Sequence, residues 1–278
     1  MISDVYPVDA QPAARAQLVA SQAFGSIIGN YLSGWWNARA GPQSTYLCTA
    51  AVPLLSLLFA SIALPETNKK RPEVSTSEAK SSKSYLSLLA DPECCLLAGA
   101  LGLYEFMNYP PMNSVSILFM KERLQWGPLQ AGRFASGHSL AVFTGSLLAG
   151  RMIEIFGKQL YVSVSNLLTA LAFFMWGTSR NSWSLVGSLL PLAFGTGGNT
   201  VLRTRFVERA TQLGWSRGEA TGILQAIGAV ARMAAPQLFM RLWLSAKAGR
   251  APLGAPMLSV ASVALLQVAR QHFFCKNT

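Results

Sequence analysis

The sequence predicts an all-α membrane protein of about eight transmembrane helices, and three observations carry that prediction. Just over half of the 278 residues are apolar and only 13% are charged, where soluble domains carry about a quarter. The charges crowd into short stretches, leaving apolar runs of about 20 residues, the length a helix needs to cross a hydrocarbon layer about 30 Å thick. These runs are apolar nearly all round, without a strict amphipathic period. A helix satisfies its own backbone groups in lipid, and the alternating segments of about ten residues that a β-barrel would need are absent.

The first two segments are expected at 17–36 and 45–64. A polar stretch rich in Lys, Ser and Glu follows to residue 93 and has the composition of a linker. The third segment, 94–120, is interrupted by Pro110 and Pro111. The fourth to eighth are expected at 134–153, 159–178, 182–202, 219–244 and 252–270, the last being the least apolar. In the first, Gly25, Gly29 and Ser33 recur every four residues, and with Gly34 they suit close helix packing. "SQAFGSIIGN" at 21–30 is weakly echoed by "LQAIGAVARM" at 224–233, a repeat of the kind secondary transporters contain.

The net charge of +11 reads as topology rather than nucleic-acid binding. If the linker lies inside, fourteen of the 23 Lys and Arg residues fall in inside loops or ends and seven in outside loops, with Arg232 and Arg241 within a segment. That bias places both termini inside. The expected partner is therefore the lipid bilayer, and no nucleic acid. No cofactor or metal is implied. Four cysteines have neither zinc-site nor disulfide-framework spacing. Two histidines, with no HExxH, GxSxG or paired-Asp motif, assemble no reaction centre, so no enzyme is expected.

A charge at the centre of a membrane helix costs roughly 2.5–3.5 kcal/mol on insertion scales, so each one needs a reason. Glu105 lies in "LGLYEFMNYPPMN" with Tyr104, Asn108, Tyr109 and Asn113. Asn108 and Tyr109 share its helix face. The stripe reads as a substrate contact or proton carrier, or else as an interfacial carboxylate near a helix end. Arg232, mid-segment, is either an anion partner in a cavity or a structural pair or snorkelling side chain. His138 is either a proton-coupling group or a structural hydrogen bonder.

The sharpest local pattern is "GSLLAGRMIEIFGK", in which Gly150, Glu154, Gly157 and Lys158 form G-x-x-x-E-x-x-G-K at a short turn. It resembles the G-x-L-x-D-x-x-G-R loop signature of the major facilitator superfamily, with Met152 in the Leu position. "GSIIGNYLSG" is similar to that family's antiporter signature G-x-x-x-G-P-x-x-G-G, with Asn30 in place of Pro. "LPET" at 64–67, "GTGGNT" at 195–200 and "RGEATGILQAIGAVARMAAP" resemble, in order, the end of the sixth, the tenth and the eleventh helices of drug–proton and tetracycline-type members.

The resemblance implies a partial major-facilitator-type bundle matching that family's helices five to twelve. Residues 1–64 would end the amino-terminal half, 65–93 would be the cytoplasmic linker, and 94–278 would form a six-helix carboxyl-terminal half. It implies a secondary transporter of a small organic solute, with proton antiport among the expectations. Because two of the family's four cavity-lining helices are not matched, a truncated, non-transporting scaffold or partner subunit is the alternative. It further implies cytoplasmic charge pairs, Asp4 with Arg15 and Glu208 with Arg151, that latch helix ends.

Overall fold

The computed structural model describes residues 11–63, 85–110 and 115–274. Asp4 and Asn113 lie outside them, as do the side chains of Arg15, Asn108 and Tyr109. All regular structure among the described residues is helical. The helices are α1 (Gln11–Ala63), α2 (Tyr85–Leu89), α3 (Pro92–Pro110), α4 (Ser116–Leu124), α5 (Pro128–Thr178), α6 (Ser182–Gly187), α7 (Leu189–Gly195), α8 (Gly198–Gln212), α9 (Arg217–Lys247) and α10 (Ala255–Phe274). Four are long and apolar enough to cross a membrane: α1 over Ser21–Ala63, α5, the run Ser182–Gln212, and α9.

Two of these helices carry glycine breaks. Gly41 in α1 has φ 77° and ψ 172°, and Gly157 in α5 has φ 73° and ψ 157°, a region essentially closed to residues with a Cβ. At Gly157 the chain folds back. The Thr169 hydroxyl donates to the Gly195 carbonyl at 3.1 Å, and Gly145 packs directly against Ala193 and Thr196. A straight helix would hold residues 145 and 169 about 36 Å apart at 1.5 Å per residue, yet both touch the same short segment. The two limbs are therefore an antiparallel hairpin, and the turn falls on the glycine of the loop signature. In α1 the Trp36 indole reaches across Gly41 to Ser44 at 2.8 Å.

The chain forms two compact units. The smaller holds α1 and the start of α5, through Ser139. Its seam is backbone against backbone: a Cβ on Gly34 would lie 2.8 Å from the Gly132 Cα and the Pro128 carbonyl oxygen. Asn30 donates to Ser139 at 3.0 Å, and Ser136 donates to the Ile27 carbonyl at 2.6 Å. Ile27, Asn30 and Gly34 lie three and four apart, on one helix face. Gly25 and Gly29 do not take part, because a Cβ on either would meet nothing within 4 Å. The every-four stripe marks a neighbouring face, and Asn30, where the antiporter signature has Pro, supplies the cross-helix hydrogen bond. Past Gly41, α1 is exposed round its circumference, with Tyr46, Leu55, Phe59 and Ile62 all uncovered.

The larger unit is centred on α3 packed against α9, with α8 and α10 alongside. Its core joins Leu97, Ala98, Leu101, Leu202, Phe206, Ile223 and Leu224, among others. On α9, Ala220, Ile223, Leu224 and Gly228 are buried at helical spacing. A capping box starts that helix: Ser216 accepts from the Glu219 N–H and the Glu219 carboxylate accepts from the Ser216 N–H.

The segment expected as one helix at 182–202 is broken instead. The chain steps from α7 to α8 through Thr196 and Gly197. Buried hydroxyls from α5 serve the break. Ser165 donates to the Gly195 carbonyl and accepts from the Gly198 N–H at 3.0 Å. This satisfies backbone groups that an interrupted helix would leave open in an apolar setting.

Candidate functional site

Glu105 sits on α3 where α8 and α9 converge. Its Oε1 accepts from Arg203 of α8, and its Oε2 accepts from Nη1 of Arg232 of α9 at 2.8 Å. The carboxylate is 19% exposed, against 40% for Arg203 and 31% for Arg232. One carboxylate thus holds two guanidinium groups and leaves the cluster with one positive charge in excess.

Local sequence makes this reach possible. A helical side chain leans toward the amino-terminal turn, so Arg232 folds back over Gly228, one turn before it. A Cβ on Gly228 would come within 3.2 Å of the Arg232 Nη1 and 3.3 Å of the Glu105 Cγ. Glycine leaves the room in which acid and base meet. One turn back along α3, a Cβ on Gly102 would lie 3.1 Å from Ile227, so the two helices run close beside the ion cluster. Tyr104, next to Glu105, donates to the Thr196 carbonyl at 3.4 Å, tying the cluster's helix to the α7–α8 break.

A second network closes one end of the same unit. Asp91 accepts from the Cys94 N–H at 2.9 Å and so caps α3, with Pro92 in the first helical position. It also accepts from Nη2 of Arg209 at 2.8 Å, while Arg205 Nε donates to Glu93 at 2.9 Å. The Arg209 hydrogen bond first, and the Cys94 N–H second, hold the Asp91 carboxyl at about 2, below its ordinary 3.8.

Of the residues the sequence singled out, Glu105 and Arg232 are brought together, and Tyr104 lies beside them. His138 is half-buried on the smaller unit, and no ion pair involves it among the described residues. Gly150 has open space around it, Glu154 is exposed, Gly157 makes the turn and Lys158 borders a cavity. The expected latch between Arg151 and Glu208 is not formed. Both side chains are exposed, and the acids that engage α8 are Asp91 and Glu93, through Arg209 and Arg205. Asp4 with Arg15 lies outside the described side chains.

Sequence reasoning missed Arg203, Arg205 and Arg209 because it ended the membrane segment at residue 202. The signal was present: no Gly or Pro interrupts 199–213, and the helix ends only near Gly214, whose φ is 81°. Compared with protein-family models and with curated proteins, the chain matches none.

Proposed function

We propose that this chain is a multi-pass membrane transporter of a small organic solute, related to the major facilitator superfamily, with the Glu105–Arg203–Arg232 cluster as its polar centre. The observation that carries the reading is that cluster: three charges drawn from three helices and held together inside an apolar bundle. Intramembrane charge is costly, and a purely structural bundle has no need of it.

Eight spans fit the architecture, with two in α1 on either side of Gly41 and two in α5 on either side of Gly157. The ends of the larger unit sort as such a topology requires. Asp91, Glu93, Lys158, Arg205, Arg209 and Arg270 gather toward one end. Toward the other, Lys247 pairs with Glu122 at 2.5 Å, Trp126 meets Ser182 at 3.0 Å, and Gly177 abuts Gly254. The first set belongs to the loops and ends expected inside, and the second to those expected outside. The uncovered circumference of α1 past Gly41 is what a helix facing lipid presents.

In this reading, an arriving solute competes for the arginines. The carboxylate that the solute displaces from the arginines is then the group through which solute binding would couple to a proton. The test is uptake into proteoliposomes across a panel of small organic solutes with an imposed pH gradient. Uptake of at least one solute should collapse on adding a protonophore and be lost in Glu105→Gln. Folded protein that moves none of the panel would refute it. That result would favour the second reading, a membrane subunit that does not transport, whose supporting observation is the same uncovered apolar surface on α1.

A further inference from the structure

A cavity of about 580 Å³ lies in the larger unit, walled by α3, α8, α10 and both sides of the Gly157 turn. Its volume falls within the range of about 300–1,000 Å³ typical of ligand sites. It has two characters. The walls are hydrocarbon, from Leu96, Leu97, Ile153 and Val162. The charged lining is Lys158, Arg205 and Arg270 against Glu93 and Glu208. Glu93 and Arg205 pair at 2.9 Å, and the five charged side chains of the lining sum to +1. The Arg270 guanidinium is steadied at the Leu96 carbonyl at 3.3 Å, while Lys158 has no ion-pair partner among the described residues.

Gln267 lines this cavity and is only 3% exposed. Its Nε2 donates to the Ala100 carbonyl at 3.2 Å, but its Oε1 has no partner among the described residues. That oxygen is sealed from the cavity, so Gln267 serves to brace α10 on α3.

We propose that this cavity binds an acidic phospholipid, with its phosphate at Lys158 and Arg270 and an acyl chain along the apolar walls. A net charge of +1 in the lining matches one phosphodiester. Basic pockets between membrane helices recognise anionic headgroups in this way, on the leaflet where such lipids concentrate. The site is separate from Glu105 and from any transport step, though it rests on the chain being embedded in lipid.

The experiment is thermal unfolding of the whole chain in detergent micelles with added dioleoyl phosphatidylglycerol, dioleoyl phosphatidylcholine or soluble glycerol 3-phosphate. Ligand that binds only the folded form raises the transition temperature. Phosphatidylglycerol should raise it most, phosphatidylcholine little and glycerol 3-phosphate not at all. Lys158→Gln, an exposed and structurally mild change, should remove most of the rise. Ala100→Phe, which fills the cavity, should remove it too, while Lys121→Gln at the opposite end keeps it. Equal shifts from both lipids, a full shift from glycerol 3-phosphate alone, or a shift that survives Lys158→Gln would overturn the proposal. Micellar extraction of folded protein in the same preparation shows whether the membrane reading itself holds, so the two failures are distinguishable.

Discussion

Replacing Glu105 by Gln tests the ion cluster with almost no change of shape. The amide keeps one acceptor oxygen, so one arginine retains a neutral partner while the other faces an N–H₂ group. A buried hydrogen bond to a charged group contributes about 1.5–3 kcal/mol, and a fully exposed ion pair about 0.2–1 kcal/mol. Here the carboxylate is 19% exposed and the arginines 40% and 31%, between those limits. An intermediate value of about 1 kcal/mol for each pair, with part of one kept by the amide oxygen, predicts a loss of about 1–2 kcal/mol. Reversible unfolding in mixed micelles, followed by tryptophan fluorescence, would measure it. The double variant Glu105→Gln/Arg232→Gln should be more stable than the sum of the single losses implies, by about 1 kcal/mol, since contacting residues couple by about 0.5–3 kcal/mol. Single variants within about 0.3 kcal/mol of the parent, or strictly additive losses, would refute the clamp.

Two further outcomes follow from the packing and the capping network. Asp91→Asn should destabilise the chain by a constant amount above about pH 5 and by a shrinking amount below pH 4. The parent carboxyl, depressed to about 2 from 3.8, contributes fully above its unfolded value and loses that contribution as the pH falls toward 2. Paired unfolding curves between pH 3 and 7 check this, and a difference that grows on acidification contradicts it. Gly34→Leu should cost about 1–3 kcal/mol by overpacking, since a Cβ there already meets the Gly132 backbone at 2.8 Å, whereas Gly25→Leu, into open space, should be nearly neutral in the same assay.

The helices were legible because apolar runs of about 20 residues, nearly free of charge, stand between short charged stretches. Gly157 was legible for the same reason: a glycine flanked by Glu154 and Lys158 between apolar runs marks a turn. What the sequence could not show was helix rotation. Gly25 and Gly29 form the more regular pattern, yet the packed face carries Gly34 and the less regular Ile27 and Asn30. Glu105 and Arg232 stood out singly as costly charges, but 127 residues separate them, and only the α3–α9 packing puts them in contact. Arg203 was hidden by treating basic residues after an apolar run as loop, when the helix continues to Gln212. Arg151 and Glu208 form no pair; the acids that engage α8 are Asp91, placed by its capping bond, and Glu93.

The account stands on helices that cross lipid in the order proposed, and single-cysteine labelling tests that most directly. In a background with the native cysteines replaced, cysteines would be placed at exposed Glu154 and Leu213 and at exposed Arg180 and Arg250. A membrane-impermeant maleimide applied to sealed right-side-out vesicles should modify positions 180 and 250 at once, and 154 and 213 only after the membrane is opened. Equal labelling of all four before opening, or a mixed pattern within either pair, would contradict the proposed order.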